Sequence, residues 1–211
     1  MKEINFSSSN MNDEQLAKLV EKGEIPNDVE ILNLRLNYIT DISPLIGFSR
    51  LTALYLSGNN ISDIAPLGSL ENLLCLELCS NPIKDLTPLS NLVGLCELDL
   101  DYIHADITPL KGLHGLARLN LSRNQLKDLT PLDGLNYLTH LHLANNHIND
   151  LFPLRKLRKL TYLNLIGNKI RDISPLNDLY NLTELHLSSP ITKIQKDELK
   201  EALPKCDILC N

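Results

Sequence analysis

Apolar residues recur along this chain at a fixed period of 22 residues. Each unit follows the pattern Leu-x-x-Leu-x-Leu-x-x-Asn-x-Ile-x-Asp-Ile-x-Pro-Leu-x-x-Leu-x-x, and one interval is a residue shorter than the others. A period of this kind predicts a solenoid, whose units cannot fold singly but stack into one continuous core. The first apolar position of each unit falls at Val29, Leu51, Leu73, Leu95, Leu116, Leu138, Leu160 and Leu182.

Within each unit, the Leu-x-Leu segment predicts a short strand. In Leu54-Tyr55-Leu56 both leucines are expected to point inward and Tyr55 outward, because side chains alternate along a strand. Successive strands would pair in parallel about 4.8 Å apart and form one concave sheet. The following Asn is expected to bond loop backbone groups in a ladder through the array; its members are Asn37, Asn59, Asn81, Asn124, Asn146 and Asn168.

The Asp-Ile-x-Pro-Leu stretch predicts a short helical or 3-10 turn on the convex side. Proline fixes φ and lacks an N–H, which suits the first residues of such a turn, and the aspartate is expected to cap it. The expected fold is therefore an α/β right-handed solenoid with helical caps. We place the N-terminal cap at residues 1–28, the repeat array at 29–190 and the C-terminal cap at 191–211.

Both caps have recognisable signals. Asn12 to Gln15 has the spacing of a capping box, and it precedes Leu16 on a helical stripe, with Gly23 at the expected stop. A first strand is expected around Ile4-Asn5-Phe6. The second cap is expected to hold a helix near Gln195 to Leu203 and a last strand from Cys206 to Cys210.

At the level of whole repeats, residues 29 to about 190 resemble the short 22-residue class of leucine-rich repeat proteins. Tails such as Asp63-Ile64-Ala65-Pro66-Leu67 look most like those of bacterial internalins, and more distantly like the leucine-rich regulatory subunit of a eukaryotic protein phosphatase. The resemblance implies a module that binds proteins through its concave surface. The host-receptor role of internalins is not carried over, because their secretion signals and flanking domains are not recognisable in this sequence.

Charge and hydropathy limit the class of partner. The net charge of −6 and the pI near 5.5 argue against nucleic acid as the principal partner, because phosphate binding depends on basic patches. No segment has the apolar length of a membrane helix or of a signal peptide, so we expect a cytoplasmic protein without a membrane partner, with signal-independent export left open. One local exception to the acidic composition is the basic cluster Arg155, Lys156, Arg158 and Lys159. It has two interpretations: a solvated outer face, or a contact with an anionic lipid or a nucleic acid.

Cysteine and histidine spacings argue against metal sites and cofactors. Cys75 and Cys79 would lie too far apart along a strand for one tetrahedral ion, so all five cysteines are expected to be free thiols in a reducing compartment. His140 and His142 point to one side, but His186 is expected about 10 Å away, too far to share one ion with them.

The outward positions form three zones: a mostly apolar beginning, an acidic middle and a stretch rich in histidine and tyrosine. The acidic middle predicts a partner with a basic strip, although carboxylates on a solvated sheet also serve solubility alone. Repeat four is short and lacks the turn Asn, so Asp101, Tyr102 and His104 mark either a functional place or drift in a tolerant loop. The predicted partner contacts are Tyr55, Glu77, Glu97, Asp99, Asp101, Arg118, His140, His142, Tyr162 and His186.

These positions favour a non-enzymatic protein–protein interaction module. Two alternatives use the same surface: a regulatory subunit of a phosphatase or another enzyme, and a bacterial effector that binds host proteins. An enzyme with paired carboxylates is disfavoured, because it would need a pocket that excludes water and separates two pKa values. An open sheet does not offer one, and we name no catalytic residue.

Overall fold

A single parallel sheet dominates the computed structural model, which describes residues 2–188 and 191–210. In these ranges ten strands pair in chain order, each parallel to the next. This is the solenoid that the 22-residue period predicts. The strands are β1 Glu3–Asn5, β2 Ile31–Asn33, β3 Ala53–Tyr55, β4 Cys75–Glu77, β5 Glu97–Asp99, β6 Arg118–Asn120, β7 His140–His142, β8 Tyr162–Asn164, β9 Glu184–Leu187 and β10 Asp207–Cys210.

The register of the sheet places one leucine of every repeat in a single buried row. Leu54 pairs with Leu32 on one side and Leu76 on the other, and this alignment continues without a slip through the short fourth repeat. Each strand begins one residue before the predicted Leu-x-Leu segment. The backbone hydrogen bonds between neighbouring strands nevertheless continue past the ends of the strands, since the Leu56 N–H donates to Glu77 O over 2.8 Å. The core row is Leu32, Leu54, Leu76, Leu98, Leu119, Leu141, Leu163 and Leu185.

The predicted asparagine ladder runs beneath the turns that follow the strands. The side chain of Asn59 accepts from Ile39 N at 3.1 Å and donates to Leu34 O and Leu56 O at 2.9 Å each. One carboxamide thus joins two repeats and satisfies backbone groups that have no partner in the sheet. The residue before each ladder position has positive φ, and Gly58 and Gly167 supply this conformation without a Cβ.

Short 3-10 helices cover the convex side, as the Asp-Ile-x-Pro-Leu motif predicts. The aspartate two residues before each helix accepts the N–H of its first residue at 2.7–3.0 Å, and proline is the second residue. Aspartate therefore caps the turn from one position ahead of the formal N-cap. The helices are Ser43–Leu45, Ala65–Ser69, Thr87–Asn91, Thr108–Gly112, Thr130–Leu132, Phe152–Leu154 and Ser174–Asp178.

Repeat four replaces the ladder asparagine with Ile103, whose side chain is buried. The next ladder residue, Asn124, makes some of the hydrogen bonds to this loop instead. Its Oδ1 accepts from Ile103 N at 2.8 Å and from His104 N at 2.7 Å, and its Nδ2 donates to Leu100 O at 2.8 Å. These three backbone groups of the shortened loop are therefore satisfied from the following repeat.

Two α-helices lie at the ends of the array. Helix α1, Asp13–Glu21, begins at the predicted capping box and is followed by Gly23 at a φ of 70°. Helix α2, Lys193–Ala202, begins two residues earlier than predicted, because Thr192 and Gln195 form a second capping box. Leu16 and Leu199, one in each helix, are fully buried, so both helices cover the ends of the core.

The domain boundaries after residues 28 and 190 stay predictions, and residues 1, 190 and 211 lie outside the described residues. In the described part of the chain, neither α-helix has the length and apolar character to cross a bilayer.

Candidate functional site

The strand register arranges the outward side chains of the sheet in two rows. The first residue of each strand forms one row, which contains Glu97, Arg118, His140 and Tyr162. The third residue forms the other, and all the remaining predicted contacts except one lie in it. That row contains Tyr55, Glu77, Asp99, His142 and His186, while Asp101 lies just beyond the end of β5. The structure therefore brings the predicted set onto one face. Their role as partner contacts stays a prediction.

Arginines from neighbouring repeats neutralise much of the predicted acidic middle. Arg35 forms a bidentate pair with Glu77, with Nε at 2.7 Å and Nη2 at 2.5 Å from the carboxylate oxygens. Its guanidinium also lies 4.0 Å from the centre of the Tyr55 ring. Arg35, Tyr55 and Glu77 therefore form one assembly across three strands, which is more rigid and less acidic than the sequence indicates.

Two further carboxylates have arginine partners. Asp101 is only 8% exposed and receives both Nε, at 2.9 Å, and Nη2 of Arg123. The prediction that Asp101 lies open on the sheet is wrong, because its side chain turns toward the next repeat. Arg118 approaches Glu97 at 3.4 Å, but both side chains are more than half exposed, so solvent weakens this pair.

Asp99 differs from these three carboxylates, because no cationic side chain pairs with it among the described residues. It is half-buried and accepts the Asp101 N–H at 2.9 Å. Burial raises the pKa of Asp99, and the charges of the Asp101 and Glu77 carboxylates raise it further, against the opposing effect of the hydrogen bonds from Asp101 N–H and Asn120. A depression of about 210 Å³ lies over this carboxylate and is bordered by Cys75, Glu77, Glu97, Asp99, Arg118, Asn120 and His142.

Three imidazoles surround Tyr162 in the next part of the sheet. The ring centre of Tyr162 lies 5.9 Å from His140, 4.7 Å from His142 and 5.4 Å from His186. Sequence spacing suggested that His186 was isolated from the other two, but Tyr162 on the intervening strand connects all three. We call these four residues the imidazole–tyrosine cluster.

Protonation is disfavoured at two of the three imidazoles, His140 and His142. Burial lowers the pKa of His142, and His140 and His186 lower it further by like-charge repulsion. The pKa of His140 is also lowered, by burial and then by Arg118. His186 instead contacts Glu184, with Nε2 2.6 Å from Oε1. The cluster therefore offers flat, half-buried rings beside the acidic depression.

The fourth repeat holds a smaller group at the end of the sheet. Tyr102 is exposed, its ring meets the edge of His104 at 4.8 Å, and Arg123 lies 5.9 Å from its centre. His104 Nδ1 is a buried side-chain atom without a hydrogen-bond partner in the described chain. The group adjoins the Asp101–Arg123 pair, so the irregular loop extends the same face.

The outward face of the sheet is an open surface rather than an enclosed pocket. Its carboxylates are mostly paired with arginine, its depression is open and shallow, and no three His, Cys, Asp or Glu side chains in the described ranges could hold a metal ion. All five cysteines are free thiols.

Comparison with known proteins agrees with the repeat architecture. The family model for leucine-rich repeats in two copies matches residues 49–91, 138–178 and 158–201, which together span half of the chain. Internalin C2 of Listeria monocytogenes is 36% identical with a TM-score of 0.80, over 88% of this chain and 80% of that one. The chain belongs to the internalin-like leucine-rich repeat family. No curated protein matches its sequence.

Two other similar leucine-rich repeat structures are longer than this chain. Internalin F of Listeria monocytogenes is 35% identical with a TM-score of 0.79, and the match covers 87% of this chain but 54% of that one. A leucine-rich repeat protein of Leptospira interrogans is 25% identical with a TM-score of 0.80, over 98% of this chain and 60% of that one. Proteins of this family are typically non-enzymatic binding modules, and protein–protein interaction is the general role of the fold.

Two functional features escaped the sequence analysis. The repeat pattern places Arg35 at an outward position but does not indicate its pair with Glu77, because the two residues are 42 positions apart and meet only across an intervening strand. Arg123 lies at the turn position before Asn124, which the repeat pattern treats as a loop residue. A search for opposite charges one and two repeats apart would have indicated both pairs.

Proposed function

We propose that this protein is a non-enzymatic interaction module that binds a partner protein on its concave sheet. The observation that carries the proposal is the imidazole–tyrosine cluster beside the Asp99 depression. Tyrosine and arginine dominate the energetics of protein interfaces, particularly where rigid, partly desolvated rings stand among polar neighbours. Here four rings and Arg118 lie on adjacent strands of one open face.

The charge of the face supports a partner with a short basic strip. Glu77 and Asp101 already have arginine partners, so Asp99 is the carboxylate best placed to receive a lysine or arginine from outside. A long basic segment would compete with Arg35 and Arg123 for their carboxylates. We therefore expect the partner protein to place one cationic side chain over the depression and apolar or aromatic groups over the imidazole–tyrosine cluster.

We also propose a reducing compartment as the location of this activity. Five free thiols, three of them on or beside the concave strands at Cys75, Cys79 and Cys96, support this.

Affinity capture with the tagged full chain tests the binding face. Proteins recovered by the wild type are compared with those recovered by Tyr162→Ala and Asp99→Asn, and by Lys127→Ala as the convex control. We expect Tyr162→Ala to weaken the specific complex about thirtyfold, as loss of an interface hot spot does. Asp99→Asn should weaken it less, and Lys127→Ala should leave it unchanged. Equal recovery by all four proteins would contradict the concave assignment.

A further inference from the structure

A second surface with a distinct chemistry lies on the outside of repeats five to seven. The 3-10 helix Phe152–Leu154 is followed by Arg155, Lys156, Arg158 and Lys159. Leu154, just before these cations, and Leu157, between them, are buried in the core. This spacing leaves all four cations on the surface. Together with three exposed aromatic side chains they form what we call the basic aromatic patch: Phe152, Arg155, Lys156, Arg158, Lys159, Tyr137 and Tyr180.

The strand register explains why the aromatic rings meet the cations. Tyr137 and Lys159 each lie three residues before the paired residues His140 and Tyr162, and Lys159 Nζ is 3.7 Å from the Tyr137 ring centre. Arg158 and Tyr180 each lie four residues before the paired residues Tyr162 and Glu184, and the Arg158 guanidinium is 5.9 Å from the Tyr180 ring centre.

A third stack forms within repeat six itself. Arg155 lies 3.4 Å from the centre of the Phe152 ring. Three cations are thus held against three rings, which reduces the freedom that each would lose on binding an anion.

Little of this positive charge is offset locally. Lys156 approaches Asp133 at 3.8 Å, whereas Arg155, Arg158 and Lys159 form no ion pair with a carboxylate in the part of the chain that the structure describes. The whole chain has a net charge of −6, so these cations form a positive cluster on an acidic protein. Such a region fits an anionic partner and would orient the protein with this side toward it.

The shape and the rings decide between the anionic partners. Single-stranded nucleic acid is bound in grooves where bases stack on open ring faces. Here the surface is convex, and each ring has a cation over one face. A bilayer needs only a convex or flat contact, with cations at the headgroups and aromatic rings at the interface. Phe152, Tyr137 and Tyr180 are 55%, 59% and 63% exposed, enough to reach that interface.

We propose that the basic aromatic patch is a peripheral membrane-binding surface for bilayers rich in anionic phospholipids. This assignment selects the lipid alternative for the basic cluster and departs from the expectation of no membrane partner. The patch lies outside the concave sheet, so a protein bound on the sheet and a bilayer bound at the patch need not compete.

Vesicle co-sedimentation of the full chain tests the proposal. The vesicles are phosphatidylcholine alone, or phosphatidylcholine with phosphatidylserine, at low and at physiological salt. We expect partitioning only to the phosphatidylserine vesicles, weakened by salt. The triple variant R155Q/R158Q/K159Q should partition about a hundredfold less, because each basic side chain near an anionic surface contributes roughly a factor of five.

A matched variant separates a local patch from net charge. K84Q/K127Q/R171Q removes three exposed cations elsewhere and changes the net charge equally, so it should partition almost as the wild type does. Phe152→Ala keeps every charge and should weaken binding by a smaller factor. Circular dichroism and the urea midpoint establish that each variant is folded. If a triple variant does not fold, its three substitutions are tested singly instead.

Three results would overturn the proposal. The first is no partitioning of the wild type to phosphatidylserine vesicles at low salt. The second is an equal loss in both triple variants, since that would mean a diffuse charge effect. The third is patch-dependent binding of a single-stranded oligonucleotide without vesicle binding, which would assign the patch to nucleic acid.

Discussion

The interrupted asparagine ladder predicts that two chemically identical substitutions have different costs. Asn59 and Asn124 are buried to the same extent, at 5% and 6% exposure, and both side chains bond backbone groups of two repeats. When Asn59 is changed to alanine, Leu34 O still accepts from Asn37 at 3.0 Å and Leu56 O from Asn81 at 2.9 Å. Only the Ile39 N–H loses its partner.

Asn124 has no such support. Because Ile103 stands where the previous ladder asparagine would be, Asn124→Ala leaves Leu100 O, Ile103 N and His104 N without a partner in the described chain. Each buried unsatisfied group costs about 1–3 kcal/mol. We therefore expect the free energy of unfolding to fall by about 2 kcal/mol for Asn59→Ala and about 4 kcal/mol for Asn124→Ala.

Urea denaturation followed by circular dichroism measures both costs. The exposed Asn177→Ala serves as the control, and the slopes must agree if the midpoints are to be compared. Equal midpoints for the two ladder variants, or a greater loss for Asn59→Ala, would refute the claim that Leu100 O, Ile103 N and His104 N depend on Asn124 alone.

Three further predictions concern single positions. The lowered pKa of His142 means that the folded state binds its proton less readily than the unfolded chain, whose histidine pKa is 6.5. The stabilising contribution of the neutral His142 should therefore be full above pH 6.5 and should decline as the pH falls below it. His142→Gln should flatten the pH dependence of the urea midpoint. Arg123→Ala should lower the free energy of unfolding by about 1–3 kcal/mol, because it leaves the buried Asp101 carboxylate unpaired, whereas Arg118→Ala should cost less than about 1 kcal/mol in the same measurement. Gly167→Ala should lower the melting temperature, since a Cβ there would overlap Asn145 Oδ1 and the residue has a positive φ, while Gly112→Ala, with open space around it, should not.

The fold was predictable because the same local rule acts in every repeat. A leucine in the wrong phase would expose itself and its neighbours, so the register of the core row follows directly from spacing. The asparagine ladder and the aspartate caps were also predictable, because each satisfies backbone groups within one or two repeats. These interactions depend on residue type and position, both of which the sequence states.

The state of the binding face was less predictable, because side-chain length decides it. Glu77 pairs with Arg35 across the intervening strand of Tyr55, and Tyr162 connects histidines that spacing alone separates. Both arrangements depend on rotamers chosen among several neighbours. The sequence therefore predicts which residues share the face, but not which of them already pair with each other.

The unbroken alignment of the core row makes the sheet a molecular ruler. Each repeat advances the outward rows by one strand spacing, about 4.8 Å, and even the shortened unit keeps the step. Duplication or loss of one unit between repeats four and six would shift the distance between Asp99 and Tyr162 by that increment while leaving both chemistries intact. Selection could thus match the spacing of two anchor points on a changing target by copying a unit, without redesigning either anchor.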